Sequence, residues 1–210
     1  MSAANVERRV AATKADLADA IAERLREVIA DAVASRGVAH VVLTGGSMGE
    51  ASARALASLD DIDWAHVHLW WGDERFLPTG DAERNETQAR VALIDVVGVP
   101  AANVHAMAAS DGPDGDDLDA AVARYRDELA TVAPQFDIVM LGMGPDTHVA
   151  SLFPGHATTR VDDTSVVAEN DSPKPPPLRV SLTWPVLNSS RHVGLLAAGE
   201  EKAEAVARAH

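Results

Sequence analysis

The fold of this chain is indicated by one stretch, Phe136–His156, which reads FDIVMLGMGPDTHVASLFPGH. It opens with the continuous apolar run Ile138–Leu141, which is typical of a central strand in a parallel sheet, because helices cover both faces of such a sheet. Gly142 and Gly144 then allow a sharp turn at the carboxyl end of the strand. Ligands of open α/β sheets bind at that end, so we expect the chemistry of the protein here.

The loop that follows the strand carries an acid and a histidine two residues apart, Asp146 and His148. A histidine has a pKa near neutrality and can accept a proton at physiological pH. A single loop histidine is more often a packed side chain than a catalytic one. The neighbouring acid and the glycine turn favour a catalytic pair, in which Asp146 orients His148.

Length and composition exclude several classes of protein. The chain has 210 residues, of which 47% are apolar, and this predicts one α/β domain spanning residues 1–210. It has no cysteine, which excludes disulfides and thiolate metal sites. His66 and His68 have a spacing that suits a metal, but no third ligand is evident nearby, so we predict no metal site. No apolar run reaches the roughly 20 residues of a membrane helix, and the N-terminus lacks the apolar segment of a signal peptide. We therefore expect a cytoplasmic protein.

The charge of the chain limits its partners. Its formal net charge is −14, which argues against nucleic acid and anionic membranes, since both require a basic surface. A phosphorylated metabolite would need a few local cations to overcome the general repulsion. The sequence contains only three lysines, Lys14, Lys174 and Lys202, so a cation in a loop is more informative than usual.

The order of elements predicts the fold class. Apolar residues at steps of three and four predict helices, and apolar runs or alternation predict strands. The predicted helices are Lys14–Ser35, Met48–Leu59, Thr87–Val96, Leu118–Val132 and one that opens at Gly199. The predicted strands are Val38–Leu43, Ala65–Trp71, Asn103–Met107, Ile138–Leu141, Thr164–Glu169, Leu178–Thr183 and Arg191–Ala197. This alternation predicts a doubly wound, mostly parallel, Rossmann-like sheet with helices on both faces.

The first glycine-rich turn is Thr44-Gly45-Gly46-Ser47, between a strand and a helix. A strand, a glycine turn and a helix start can form an anion site, because free N–H groups and the positive end of the helix dipole converge there. The same four residues also fit an ordinary turn in which Ser47 is the N-cap. The motif alone does not decide between these two interpretations.

A second turn, Gly72-Asp73-Glu74-Arg75, follows the strand Ala65–Trp71. It fits a solvated turn with a local ion pair. It also fits a binding loop in which Arg75 holds an anion and Asp73 accepts hydrogen bonds from sugar hydroxyls. Both interpretations place the three charged residues in a loop.

Glycine-rich or charged turns follow four of the predicted strands: Thr44–Ser47, Gly72–Arg75, Gly142–His148 and Gly199–Lys202. If these strands are parallel, all four turns lie along one edge of the sheet. They would then form a single site with phosphate donors, cations, carboxylates and one histidine.

Five motifs together carry a resemblance to a known family. They are LTGGS (Leu43–Ser47), WWGDERFLP (Trp70–Pro78), LGMGPDTHVASLFPGH (Leu141–His156), PPPLRVSLT (Pro175–Thr183) and AAGEEKAEAV (Ala197–Val206). In this order the motifs resemble the 6-phosphogluconolactonases of the glucosamine-6-phosphate isomerase/6-phosphogluconolactonase superfamily. The likeness runs through nearly the whole chain.

The resemblance implies hydrolysis of 6-phosphogluconolactone to 6-phosphogluconate, in the oxidative pentose phosphate pathway, without a metal or cofactor. It implies that His148 is the general base and that Arg75 contacts the substrate. Arg179 and Lys202 match cationic positions near the phosphate, and Thr44–Ser47 matches the phosphate cradle. The expected partner is a small sugar-phosphate lactone, and the expected state is a monomer or a weak dimer.

The chain departs from the family pattern in two places. Thr147 replaces a glycine in the Asp-Gly-His motif, and a β-branched residue there would cost about 1–3 kcal/mol if that position has a positive φ. Chains of the family also continue past the last helix to a further strand. Either this chain is a truncated form, or its sheet lacks a C-terminal edge strand.

Three other functions fit parts of the sequence. An aminosugar-6-phosphate deaminase/isomerase shares the Asp-x-His pair but has a glutamate five residues after the histidine, where this chain has Phe153. A non-catalytic sugar-phosphate-binding domain of a transcription regulator would need a helix-turn-helix and a basic surface. An NAD-binding protein would need a third glycine at the position of Thr147. The sequence favours the lactonase over all three.

Overall fold

A computed structural model describes residues 6–132 and 134–208 of the chain. The strands are β1 (Ala39–Leu43), β2 (Val67–Trp71), β3 (Asp73–Arg75), β4 (Ile138–Gly142), β5 (Val166–Glu169), β6 (Arg179–Leu182) and β7 (His192–Leu196). The α-helices are α1 (Lys14–Arg36), α2 (Gly46–Ala57), α3 (Asn85–Ala89), α4 (Asp95–Val97), α5 (Leu118–Val132), α6 (Trp184–Asn188) and α7 (Ala203–Arg208). A π-helical turn, Arg90–Ile94, joins α3 to α4.

The central sheet has the order β2-β1-β4-β7, and all its neighbours are parallel. Val41 of β1 is fully buried and pairs with Leu69 on one side and Ile138 on the other. The apolar run in β4 is buried throughout, as a strand covered on both faces requires. The predicted α/β fold with a mostly parallel central sheet is confirmed.

Capping residues at both ends and a buried apolar stripe explain why Lys14–Arg36 forms helix α1. The Thr13 side chain accepts a hydrogen bond from the Asp16 N–H at the N-terminus, and Gly37 ends the helix with φ of 79°. One stripe of α1 is buried, and the helix packs on α2 and β1. Its buried residues are Ala18, Ile21, Ala22, Leu25, Val28, Ile29 and Ala32.

A second sheet, with the antiparallel order β3-β6-β5, was not predicted from the sequence. Asp73 pairs with Ser181 and Arg75 pairs with Arg179. The prediction that Asp73–Arg75 lies in a loop was therefore wrong. The chain leaves the central sheet at Gly72, whose carbonyl accepts a hydrogen bond from the Leu182 N–H, and enters the second sheet at once.

Two further boundaries differ from the prediction. Asn103–Met107 is not a strand: Val104 makes a single parallel bridge to Leu69, after which the chain turns away. The strand predicted at Ala65 begins at Val67, because the Asp63 side chain accepts a hydrogen bond from the Ala65 N–H and caps a short 3-10 turn. Neither change moves a residue of the predicted site.

Strand β7 forms one edge of the central sheet. Its Val193 and Leu195 side chains are each 49% exposed. A further strand of the kind that the resemblance implies would lie outside the described residues. Within those residues, no helix combines the length and apolar character needed to cross a bilayer.

The Asp137 carboxylate joins three elements at the amino end of the central sheet. It is 2% exposed and forms ion pairs with Arg36, at the end of α1, and with Arg191, just before β7. Its second oxygen accepts a hydrogen bond of 2.9 Å from the His40 N–H in β1. One buried carboxylate thus fixes α1, β1 and β7 relative to β4.

We expect the substitution Asp137→Ala to lower the free energy of unfolding by about 1–3 kcal/mol, because it removes the shared acceptor of these groups. The matched control is Asp61→Ala, which breaks the exposed ion pair with Arg26 and should cost less than about 1 kcal/mol. Urea unfolding of both variants measures the difference. Equal losses in the two variants would contradict the role of Asp137.

Candidate active site

The parallel strands bring the predicted loops to one cleft of about 190 Å³ at the carboxyl edge of the central sheet. The turns after β1, β4 and β7 border this cleft, together with β3 and β6 of the second sheet. Predicted site residues that line it are Thr44, Gly45, Gly46, Ser47, Asp73, Arg75, His148, Arg179 and Lys202. Asn85, Lys174 and Glu201 also line it.

The turn after β1 has the geometry of an anion site. Helix α2 begins at Gly46, and Gly45 is its N-cap without a side-chain hydrogen bond. Ser47 therefore lies in the first turn, and the alternative in which it caps the helix is wrong. Residues 44–48 line the cleft, and the Gly46 N–H makes only a long hydrogen bond of 3.4 Å to Gln88 Oε1. The positive end of the α2 dipole therefore lies at the cleft, where a phosphate is favoured.

Asn85 connects this turn to Asp73, a contact between segments that no motif in the sequence indicates. Its Nδ2 donates to the Asp73 carbonyl (2.8 Å) and to the Asp73 carboxylate (3.3 Å). A Cβ atom at Gly45 would lie 1.8 Å from Asn85 Oδ1. Glycine is thus required at position 45 because the Asn85 amide occupies the space of a side chain.

Asp146 and His148 form a hydrogen bond, with 2.5 Å between Asp146 Oδ1 and His148 Nδ1. Because a carboxylate accepts, His148 Nδ1 carries the proton and Nε2 is left with its lone pair. The His148 ring also lies 4.5 Å from the ring of Phe153, which is 2% exposed. The pair is therefore held from two sides.

The environment sets the ionisation of both groups. Burial lowers the pKa of His148 below 6.5, against the hydrogen bond and charge of Asp146, which raise it. Burial raises the pKa of Asp146, but the hydrogen bond and charge of His148 outweigh it, so this pKa lies below 3.8. At neutral pH the pair is a carboxylate and a neutral imidazole, which is the form a general base requires.

The backbone at Gly144 lies so close to this pair that there is no room for a side chain at that position. A Cβ atom at Gly144 would lie 2.1 Å from the His148 ring and 2.5 Å from Asp146 Oδ1. The Gly144 N–H donates to the His148 carbonyl at 2.9 Å, which closes the loop. Thr147, between the two partners, has φ of 72°, so the threonine occupies a backbone conformation that favours glycine.

Asp73 is 8% exposed and its carboxylate is already hydrogen-bonded. One oxygen accepts from Ser151 Oγ at 2.7 Å, and the other accepts from Asn85 Nδ2. Ser151 follows His148 by three residues, so Asp73 ties the second sheet to the loop of the Asp146–His148 pair. Its orientation is fixed before any substrate arrives.

Glu74, between Asp73 and Arg75, is 1% exposed. Burial raises its pKa to about 7, although the charge of Arg84 and three backbone N–H groups lower it. Those N–H groups belong to Arg75, Asn85 and Glu86, at 2.7–2.8 Å. Glu74 therefore holds the start of α3, and with it Asn85, against the cleft.

The cationic side chains of the cleft differ in the hydrogen bonds that they already form. Arg75 Nη1 donates to the Glu83 carbonyl. Arg179 is 5% exposed, and its guanidinium donates to carbonyls of the loop at residues 174–176. Lys174 and Lys202 reach the cleft from separate turns. Among the described residues, no group of three histidine or acidic side chains is placed to hold a metal ion.

We expect the substitution Thr147→Gly to stabilise the protein by about 1 kcal/mol. It relieves a positive φ that costs about 1–3 kcal/mol, and the added freedom of the unfolded chain offsets about 0.4–1 kcal/mol of that gain. Thermal unfolding measures the change. The control Thr131→Gly, inside α5, should destabilise the protein, and a loss of stability in both variants would contradict the strain at Thr147.

We expect an NMR titration of His148 to give a pKa below 6.5, since burial disfavours the imidazolium. Asp146→Asn should lower that pKa further, because the carboxylate is what opposes burial. The isosteric control Asp31→Asn, on the exposed side of α1, should leave it unchanged. A pKa that rises in Asp146→Asn would contradict the hydrogen-bonded pair.

Comparisons with known proteins show the family of the chain. The family model for glucosamine-6-phosphate isomerases/6-phosphogluconolactonase matches residues 12–210. The 6-phosphogluconolactonase of Streptomyces coelicolor is 55% identical over 204 residues, which cover 92% of this chain and 78% of that protein. That of Mycobacterium tuberculosis is 50% identical over 200 residues, with 92% and 81% covered. The crystal structure of 6-phosphogluconolactonase from Thermotoga maritima has a TM-score of 0.82 at 29% identity and covers 91% of this chain and 84% of its own. The chain belongs to the glucosamine-6-phosphate isomerase/6-phosphogluconolactonase family.

Proposed function

We propose that this chain hydrolyses 6-phosphogluconolactone to 6-phosphogluconate, with His148 as the general base that activates water. The relatives that share half or more of its residues carry the name of this activity. The observation that supports the base is that His148, hydrogen-bonded to Asp146, lines the same cleft as the start of α2. The substrate is a small sugar-phosphate lactone, and the cleft offers it both the Thr44–Ser47 turn and the His148 side chain.

The proposed substrate orientation follows from the charges of the cleft. The phosphate binds the Thr44–Ser47 turn, where N–H groups and the α2 dipole favour an anion, and Lys202 adds a cation. The lactone carbonyl then lies near His148. Asp73, fixed by Ser151 and Asn85, accepts hydrogen bonds from the sugar hydroxyls.

The proposed reaction needs one base. His148 Nε2 takes a proton from water while the water oxygen attacks the lactone carbonyl carbon. Asp146 accepts the Nδ1 proton and stabilises the imidazolium that forms. A lactone is an activated ester, so general-base assistance of about 10²–10⁴-fold is sufficient help, and no serine or cysteine nucleophile is required.

Phe153 argues against the deaminase/isomerase alternative. In that class a glutamate five residues after the histidine is the expected proton relay. Here the position is a buried phenylalanine that packs 4.5 Å from the His148 ring. An apolar ring cannot move a proton, so the site favours a reaction in which His148 acts with water alone.

We expect His148→Ala to lower kcat by about 10²–10⁴-fold on 6-phosphogluconolactone, since it removes the base. Lactone disappearance, with the substrate generated in situ and spontaneous hydrolysis subtracted, measures the rate. The matched control is His192→Ala, an exposed histidine at the start of β7, which should keep wild-type activity. Full activity of His148→Ala would move the base elsewhere, and an inactive wild type would contradict the proposed function itself.

A further inference from the structure

The proline-rich loop between β5 and β6, residues 170–177, brings one lysine to the cleft. Lys174 is among the residues that line it, together with His148 and Arg75. The loop joins two strands of the second sheet, so Lys174 enters from a wall separate from the turn that carries Lys202. The chain has only three lysines, and two of them border this one cleft.

The loop is held from below by a buried arginine. Arg179 Nη2 donates to the Lys174 carbonyl at 3.0 Å, and Arg179 Nε donates to the Pro176 carbonyl at 2.9 Å. Ser172 adds a hydrogen bond from its Oγ to the Lys174 carbonyl and one from its N–H to the Pro177 carbonyl. The Arg179 guanidinium is therefore used mainly to fix the backbone that presents Lys174.

The Lys174 ammonium itself is uncommitted. In the described part of the chain it forms neither a hydrogen bond nor an ion pair. The Lys174 side chain lines the same cleft as His148, and its charge lowers the pKa of His148 and that of Asp146. Arg75 and Arg179, which also line the cleft, already donate to backbone carbonyls.

We propose that Lys174 is the catalytic cation that stabilises the oxyanion of the lactone carbonyl, and that Arg179 is a positioning residue that holds Lys174 in place. The proposal rests on the proposed function of the site. In this role the uncommitted ammonium, which lines the same cleft as the base, meets the negative charge that develops when water attacks. A preorganised charge at that point stabilises the transition state more than the ground state.

The reaction proceeds in two steps. Water oxygen bonds to the lactone carbon, the carbonyl π electrons move to its oxygen beside Lys174, and His148 Nε2 takes one water proton. The oxyanion then re-forms the carbonyl, the bond from carbon to ring oxygen breaks, and the ring oxygen takes the proton from the His148 imidazolium. The carboxylic acid so formed loses its proton to solvent.

The test distinguishes a cation that acts on the lactone carbonyl from one that binds the phosphate. Lys174→Met and Lys202→Met remove the same charge from two walls of the cleft. For each, kcat and KM on 6-phosphogluconolactone and the inhibition constant of inorganic phosphate are measured. We expect Lys174→Met to lower kcat by about 10²-fold with less than a twofold change in phosphate inhibition. Lys202→Met should instead raise KM and weaken phosphate inhibition.

The pH profile of kcat/KM gives a second measurement, which would not change if Lys174 had only a structural role. The charged groups that act on His148 are Asp146, Lys174 and Asp73, and Arg75 and Arg179 line the same cleft. Without the Lys174 charge, the acidic limb of kcat/KM should move to higher pH, because the imidazolium is no longer disfavoured. Lys174→Arg retains the charge and should retain the wild-type midpoint and most of kcat.

If Arg179 only positions Lys174, the effects of replacing the two residues on kcat should not be additive. Arg179→Met should lower kcat, and it should cause little further loss in the Lys174→Met background, because the two residues act through one ammonium. If the fold losses in kcat of the two single variants multiply in the double variant, Arg179 acts independently of Lys174, and its positioning role is overturned. Circular dichroism and thermal unfolding verify folding, and Lys174→Gln repeats the test with a different side chain.

Two results would overturn the role of Lys174 and leave the proposed function intact. One is wild-type kcat in Lys174→Met and Lys174→Gln. The other is a raised KM and weakened phosphate inhibition with unchanged kcat, which would make Lys174 a phosphate ligand. An inactive wild type would instead count against the proposed function, and an active His148→Ala would count against His148 as the base, so the failures are distinguishable.

Discussion

The parallel pairing of β1, β2, β4 and β7 is the constraint on which the rest of the structure depends. In a parallel sheet every strand ends at the same edge, so the turns after β1, β4 and β7 must meet there. One cleft therefore receives the start of α2, His148 and Lys202, and Asp146 is joined to the cleft through its hydrogen bond to His148. Asp137 secures the opposite edge by linking the ends of α1 and the starts of β1 and β7 to β4.

Two glycines show how closely the backbone approaches functional groups at this edge. Gly144 lies under the hydrogen bond between Asp146 and His148, and Gly45 lies against the Asn85 amide. In both cases a side chain would displace a polar group that the site uses. Thr147 shows the opposite situation. It lies between Asp146 and His148 with a positive φ, so the chain carries a side chain there in spite of backbone strain.

The second sheet gives the cleft its other walls and its buried charges. Asp73 and Arg75 enter the site as part of β3, whose pairing with β6 sets the positions of Arg75 and Arg179 relative to each other. Glu74 faces away and fixes the start of α3 with three backbone hydrogen bonds. Four cations of the described cleft lining, Arg75, Lys174, Arg179 and Lys202, thus gather locally in a chain whose net charge is −14.

The sequence by itself determined the parallel core and the Asp146–His148 pair, because an unbroken apolar run and a glycine turn are local signals. Its resemblance to the family marked Thr147 as the replacement of a glycine, and the structure has a positive φ at that position. The antiparallel sheet of β3, β6 and β5, the clamp of Asn85 between Asp73 and Gly45, and the use of Arg179 to hold the Lys174 loop were decided only by the tertiary structure. Each depends on contacts between segments far apart in the chain, and such contacts leave no periodicity or spacing in the sequence from which they could be predicted.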